Sequence, residues 1–155
     1  MKKHLILLTT CILCTWPLCS IGAQEVSMGS FLTDVKRYIR DIERSGGTLV
    51  HIGSDILFKG STKSTYRALL DSKEYGVYVI GTPERIKDVD VKIYKSSPPP
   101  NRTRGALITK DEKTTYEAKV TFTPSATGFY EMEVNGYQFI GDNTVGHYAV
   151  IIYYN

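Results

Sequence analysis

Cysteine is missing from the sequence after residue 19. The three cysteines, Cys11, Cys14 and Cys19, all fall in an apolar N-terminal stretch. Cys11 and Cys14 therefore form a false C-x-x-C motif, because they belong to a hydrophobic targeting segment and not to a redox helix. Without that segment the chain has no disulfide and no thiol, so its core alone must stabilise it. Disulfide scaffolds, thiol chemistry and zinc-thiolate sites are thereby excluded.

Motifs typical of catalytic sites are also scarce. After the N-terminal stretch only two histidines remain, His51 and His147, and neither stands in an H-x-x-x-H or H-E-x-x-H context. No G-x-S-x-G sequence is present, and Ser54 and Ser61 near His51 have no motif around them. A phosphate-binding glycine loop is absent too. The sequence therefore predicts that the protein is not an enzyme and has no cofactor, with calcium as the alternative considered below.

A strong excess of either charge is absent. The formal net charge of the chain is +3, and Lys2 and Lys3 account for two of the three surplus positive charges. The residues beyond them carry 17 basic side chains against 16 acidic ones. This near-neutral balance gives no electrostatic support for binding nucleic acid or an anionic membrane surface.

Long hydrophobic runs are confined to the N-terminus. Lys2 and Lys3 precede an apolar stretch of about 14 residues, shorter than the roughly 20 that a membrane-spanning helix needs. The small residues Gly22 and Ala23 then precede the polar Gln24. This order is typical of a secretory signal peptide. We predict that residues 1–23 are removed, with cleavage after Gly22 and an uncleaved anchor as alternatives, and that the protein is periplasmic or secreted with no transmembrane segment after cleavage.

The remaining sequence indicates one helix followed by strands. In residues 28–42 apolar side chains recur every three or four positions, which predicts an amphipathic helix within an N-terminal segment 24–47. From Thr48 onward the period falls to about two, in about eight short runs separated by turn residues. This spacing favours an antiparallel sandwich or barrel over residues 48–155. The predicted strands are 48–58, 65–70, 76–80, 89–94, 106–109, 116–122, 129–134 and 147–154.

Alternation within the strands predicts which face is buried. Val89, Val91 and Ile93 share one face, as do Tyr130 and Met132 of a later strand. The last strand, 147–154, is apolar on both faces, which is typical of a central strand that is covered on both sides. We expect the N-terminal helix to cover its outer side, so that helix and sandwich form one domain.

Six short motifs follow one another over residues 60–154. They are Gly76-Val77-Tyr78, Asp88-Val89-Asp90, Asp111 after a short strand, Phe122-Thr123-Pro124, Gly128-Phe129-Tyr130 and a final Tyr148-Ala149. Their order resembles that of bacterial pre-peptidase C-terminal-like (PPC-like) domains and related uncharacterised exported proteins. The resemblance implies a jelly-roll β-sandwich of the kind that generally accompanies secreted enzymes. Because a helix precedes the sandwich here and no catalytic domain is attached, we expect a free-standing exported protein.

Three aspartates are the candidate metal ligands. Asp88 and Asp90 lie on the same face of one predicted strand, and Asp111 follows a neighbouring short strand. Calcium prefers several carboxylate and carbonyl oxygens, so Asp88, Asp90 and Asp111 together predict a calcium site. The competing interpretation is that these carboxylates accept hydrogen bonds from turn backbone, as aspartates commonly do. No continuous aspartate-rich calcium loop is present.

The segment 96–105 is the longest loop and carries the candidate partner contacts. Its three consecutive prolines favour a stiff, extended backbone that presents Arg102 and Arg104 at an exposed tip. Exposed tyrosines, among them Tyr66, Tyr94 and Tyr137, offer a surface for sugars or for protein. The sequence thus favours a non-catalytic exported β-sandwich that binds a protein or envelope partner. A calcium- or carbohydrate-binding module is the alternative.

Overall fold

The structure, a computed structural model, describes residues 28–155. The predicted signal peptide, residues 1–23, lies outside the described residues. Among those described there are one helix and eight strands. They are α1 (Gly29–Arg44), β1 (Thr48–Phe58), β2 (Thr62–Leu69), β3 (Tyr75–Gly81), β4 (Ile86–Ser96), β5 (Arg104–Asp111), β6 (Glu117–Phe122), β7 (Gly128–Phe139) and β8 (Val145–Tyr154).

The strands form two four-stranded antiparallel sheets. The first sheet has the order β1-β8-β3-β6 and the second the order β2-β7-β4-β5. Successive strands cross from one sheet to the other through most of the chain, which is the topology of a jelly roll. The predicted fold class is confirmed: the described chain is a mostly β, jelly-roll-like antiparallel sandwich of eight strands with one N-terminal helix.

The core lies between the two sheets. Val89, Val91 and Ile93 of β4 are fully buried, and so are Tyr130 and Met132 of β7. The predicted inner faces of these two strands are therefore confirmed. Because side chains alternate along a strand, the residues between them point to the outer face of the second sheet.

Helix α1 packs on the outer face of the first sheet. Phe31 and Ile42 are buried against Ala149, Ile151 and Tyr153 of β8. The strand β8 is thus central and covered on both sides, as its double apolar character predicts. The helix ends where Gly46 adopts a φ of +79°, a conformation that glycine adopts without steric cost. Within residues 28–155, no helix combines the length and apolar character needed to cross a membrane.

The packing of the sheet explains why position 76, in the Gly76-Val77-Tyr78 motif, is a glycine. A Cβ atom on Gly76 of β3 would lie 2.2 Å from the ring of Tyr153. The tyrosine ring therefore covers the backbone of β3 directly. The same ring packs in the hydrophobic cluster beneath helix α1, so it contacts both the β3 backbone and the helix layer.

Most strands are longer than predicted, and in two of them, β4 and β7, the added residues belong to the candidate site. β7 runs to Phe139, although its predicted end is residue 134, and β4 begins at Ile86, although its predicted start is residue 89. The two extensions pair with each other, with register irregularities on either side of Asp88. The irregular pairing interrupts the two-residue alternation, so the pattern ends before the strands do.

Candidate binding site

A cavity of about 320 Å³ opens on the outer face of the second sheet, at the extended ends of β4 and β7. We call it the Asp88 pocket. Its lining consists mainly of oxygen-bearing side chains, with one ammonium group and one aromatic ring. The lining residues are Asp88, Asp90, Lys92, Glu112, Thr114, Asn135, Tyr137 and Gln138.

Asp88 and Asp90 are both buried within this pocket, with relative exposures of 5% and 9%. The Oδ1 atom of Asp88 has no hydrogen-bond partner among the described residues, and the same holds for Oδ1 of Asn135. Asn135 lies directly opposite Asp90 in the pairing of β4 with β7. Leaving a buried charged acceptor without a partner costs more free energy than a typical hydrogen bond contributes. The pocket therefore holds acceptors that require a donor.

The other buried acids have partners. Glu131 and Glu133 both bind Arg104, and Asp111 accepts backbone hydrogen bonds. Within residues 28–155, neither Asp88 nor Asp90 forms an ion pair. Of the buried acids within residues 28–155, Asp88 and Asp90 are thus the two whose carboxylates lack the kind of partner that compensates the others.

The electrostatics of the pocket follow from this arrangement. Burial raises the pKa of Asp90, and the nearby carboxylates of Asp88, Glu112 and Asp111 raise it further, while Lys92 acts in the opposite direction. Lys92 itself pairs with Glu112 at 3.2 Å, and Lys110 pairs with the same carboxylate. The positive charge in the lining is thus already shared with Glu112. A positively charged donor would stabilise the ionised carboxylate of Asp90.

Asp111 does not join the other two aspartates. It pairs with Val91, an inner-face residue of β4, and residues that pair across antiparallel strands point to the same side of the sheet. Its carboxylate accepts hydrogen bonds from the backbone N–H groups of Lys113 at 3.2 Å and Lys119 at 2.9 Å. The structure therefore brings Asp88 and Asp90 together and directs Asp111 away from them. In the described part of the chain, no group of three or more histidine, cysteine or acidic residues is arranged to hold a metal ion.

Arg104 lies at the first residue of β5 and binds the sheet. Its Nε and Nη2 atoms donate to the carboxylate of Glu131 at 3.0 and 2.6 Å, and Nη2 also pairs with Glu133. Its guanidinium carbon lies 4.4 Å from the centre of the Tyr94 ring. We call this arrangement the Arg104 site. Partner binding by Arg104 stays a prediction, and any partner would meet a guanidinium that is already bound.

The loop around Arg102 folds back on the same face. The Arg102 guanidinium lies 4.9 Å from the centre of the Tyr66 ring. Two of the three tyrosines singled out from the sequence, Tyr66 and Tyr94, are therefore covered by arginines. The third, Tyr137, is 63% exposed and lines the Asp88 pocket. Partner binding by Arg102 also stays a prediction.

His51, His147 and Ser54 do not share a cavity with one another in the described part of the chain. A guanidinium nitrogen of Arg67 lies 2.6 Å from Nδ1 of His51, and burial together with this positive charge lowers the pKa of His51. His147 lies beside Phe31 under the helix. Ser54 lines a smaller cavity of about 150 Å³ in which no histidine of the described chain takes part.

Several pocket residues have no signal in the sequence. Asn135 and Gln138 belong to the extension of β7, and only the pairing register places them opposite Asp90 and Asp88. Glu112 follows β5, and its position in the pocket likewise depends on how β5 pairs with β4. Cross-strand pairing is non-local, so a linear pattern does not reveal it.

Fold and site together define a jelly-roll β-sandwich with an acceptor-rich pocket on one outer face. No protein-family model matches the sequence, and no curated protein matches it. Membership of the PPC-like family therefore stays a prediction.

The solved structures that resemble part of the chain include two proteins. One is PliG of Aeromonas hydrophila, a periplasmic lysozyme inhibitor of g-type lysozyme, with 10% sequence identity and a TM-score of 0.47 over 70% of this chain and 86% of that one. The other is a protein of Sulfurospirillum deleyianum, with 12% identity and a TM-score of 0.43 over 68% of this chain and 98% of that one. These values do not define a family.

Proposed function

We propose that the protein is a non-catalytic exported binding protein that recognises a positively charged group of a protein partner in the Asp88 pocket. The observation that carries the proposal is the buried Oδ1 atom of Asp88, which has no hydrogen-bond partner among the described residues. A carboxylate in this position is stabilised by a donor from outside the chain. The residues with direct roles are Asp88, Asp90 and Asn135 as acceptors.

The charge of the pocket supports a cationic ligand. Asp88 and Asp90 lie close enough for the charge of Asp88 to raise the pKa of Asp90. Placing two carboxylates together in a partly buried site destabilises the free protein. A positively charged ligand removes this repulsion, and the free energy so released favours binding. Neighbouring carboxylates whose pKa is raised by burial and by each other occur often at functional sites.

Calcium is the competing ligand for the same carboxylates. The pocket offers the oxygen ligands that calcium prefers. However, Asp111 points away from it, and the ammonium group of Lys92 is part of its lining. Because Lys92 and Lys110 already pair with Glu112, only the carboxylates of Asp88 and Asp90 are free among the described residues that line the pocket, whereas calcium takes about six to eight oxygen ligands. We therefore favour a positively charged side chain of a partner as the ligand of the pocket. Calcium is the second candidate, and a sugar that stacks on Tyr137 is the third.

The test measures the affinity of the purified protein for a labelled peptide that carries three basic residues, by fluorescence anisotropy. We expect Asp88→Asn and Asp90→Asn each to weaken binding about tenfold, which corresponds to about 1.4 kcal/mol. Glu43→Gln serves as the matched control, because Glu43 is an exposed acid on helix α1, which packs on the other sheet. An acidic peptide of equal length should not bind.

Two outcomes would overturn the proposal. One is equal affinity of the basic peptide for all three variants and the unmodified protein. The other is a rise in melting temperature with calcium chloride that Asp88→Asn abolishes, combined with no binding of the basic peptide. That second result would assign the pocket to calcium.

A further inference from the structure

We infer that the group received by the Asp88 pocket is an arginine side chain, whose guanidinium binds Asp88, Asp90 and Asn135 and stacks on Tyr137. The inference rests on the proposed function and names the residue that the partner contributes. It comes from a comparison of two places on the same face of the second sheet.

The first place is the Arg104 site. Glu131 and Glu133 occupy alternate positions on β7 and point to the outer face, and Tyr94 lies opposite Glu131 on β4. The guanidinium of Arg104 binds both carboxylates and lies over the Tyr94 ring. Two carboxylates on one strand and a tyrosine on its neighbour therefore hold one arginine.

The second place, the Asp88 pocket, also has two carboxylates on one strand and a tyrosine on the neighbouring strand. Here the carboxylates belong to β4 and the tyrosine to β7, the reverse of the Arg104 site. Asp88 and Asp90 are two residues apart on β4 and line the same cavity, and Tyr137 on β7 lines it with them. Asn135 adds an amide oxygen opposite Asp90. At the Arg104 site the guanidinium comes from β5 of the chain itself. No basic side chain within residues 28–155 pairs with Asp88 or Asp90, so a partner must supply the equivalent group.

The chemistry of the lining favours arginine over lysine. The acceptors come from two strands, and a guanidinium presents five N–H donors in a flat fork that can reach several acceptors at once. An ammonium group is a compact point charge and stacks less well on an aromatic ring. Among the described residues, tyrosine rings lie under arginine at three places (Arg37, Arg102 and Arg104) and under lysine at two (Lys73 and Lys119), so arginine is the more frequent partner of tyrosine in this fold. Tyr137 has an exposed ring available for this contact.

The experiment uses three peptides that differ only at a central residue, which is arginine, lysine or citrulline. Citrulline has nearly the shape of arginine without its charge. We expect the arginine peptide to bind the purified protein about tenfold more tightly than the lysine peptide, and the citrulline peptide to show no measurable binding. Asp88→Asn should weaken the arginine peptide about tenfold. Tyr137→Ala should abolish the preference for arginine over lysine, Tyr137→Phe should keep it, and Glu43→Gln should change nothing.

The outcomes separate this inference from the function on which it rests. Equal binding of the arginine and lysine peptides, with both weakened by Asp88→Asn, would overturn the arginine assignment and leave a general cation site. Binding of neither peptide would overturn both. Tight arginine binding that Asp88→Asn and Tyr137→Ala leave unchanged would place the site elsewhere and would also overturn the inference.

Discussion

Replacing Arg104 by alanine should lower the free energy of unfolding at pH 7 by about 3 kcal/mol. Glu131 is only 1% exposed and Glu133 only 8%, and Arg104 is their cationic partner among the described residues, with Ser64 as a further donor to Glu131 at 2.6 Å. Breaking a buried ion pair by removing one partner leaves the remaining charges without compensation, which is far more costly than losing a surface pair. The expected loss lies at the lower end of the range for buried pairs, because the Arg104 side chain is 42% exposed.

The loss at Arg104 should depend on pH with a definite sign. The hydrogen bond from Arg104 lowers the pKa of Glu131 below its ordinary value. Stabilisation by a carboxylate of this kind is present above the pKa of the unfolded chain and disappears as the pH falls through the lower pKa of the folded protein. Urea denaturation at several pH values should therefore show the difference between Arg104→Ala and the unmodified protein shrinking in acid.

Arg102→Ala is the control for the Arg104 substitution. Arg102 is an exposed neighbour that stacks on Tyr66 and forms no ion pair within residues 28–155. We expect its loss to cost less than about 0.5 kcal/mol, as for most surface substitutions. Equal, small effects of the two substitutions would show that the Arg104 site does not stabilise the fold.

Replacing Phe31 by alanine should also cost about 3 kcal/mol, the lower end of the range for removing a buried phenylalanine. Phe31 is 1% exposed and is the main anchor of helix α1 on β8, together with Ile42. Leu32→Ala is the matched control, because Leu32 follows it in the helix and is 44% exposed. The control should lose less than about 1 kcal/mol, since little apolar area leaves water there.

The same pair of variants tests the proposal that helix and sandwich form one domain. If they do, circular dichroism of the helix and tyrosine fluorescence of the sandwich will report a single unfolding transition, which shifts with Phe31→Ala. Loss of helical signal at unchanged stability of the sandwich would contradict the proposal. It would show that the helix can leave the sheet while the rest stays folded.

The parts of the fold that were predictable are those in which burial alone determines the pattern. Val89, Val91 and Ile93 alternate with polar residues because only one side of β4 faces the core. The strand β8 shows no alternation because the core covers one of its faces and the helix covers the other. Hydrophobic periodicity reports both situations directly.

The site was predictable only in part because polar residues are buried there. The sequence predicts a site of Asp88, Asp90 and Asp111, and the structure places the first two in one pocket without the third. The sequence pattern does not reveal Asn135, because β7 continues through a polar stretch with irregular pairing, where a pattern based on alternation ends. The sequence predicts a loop tip at Arg104, but Arg104 begins β5 and binds Glu131, because this contact depends on a pairing between residues distant in sequence. Sequence patterns predict a structure least well where a ligand site or a network of ion pairs, and not hydrophobic burial, determines which residues are present.

The central claim is that the pocket carboxylates serve a ligand at the expense of the free protein's stability. The most direct test is the unfolding free energy of Asp90→Asn at pH 7, measured by urea denaturation on the same preparation used for peptide binding. Because the pKa of Asp90 is raised, its ionised form destabilises the folded protein at neutral pH, and this effect vanishes once the pH falls below the ordinary range for aspartate. We expect Asp90→Asn to gain roughly 0.5–1 kcal/mol at pH 7, to show no gain in acid and to lose affinity for the basic peptide. A variant that is less stable than the unmodified protein at pH 7 would contradict the account, because Asp90 would then serve the fold.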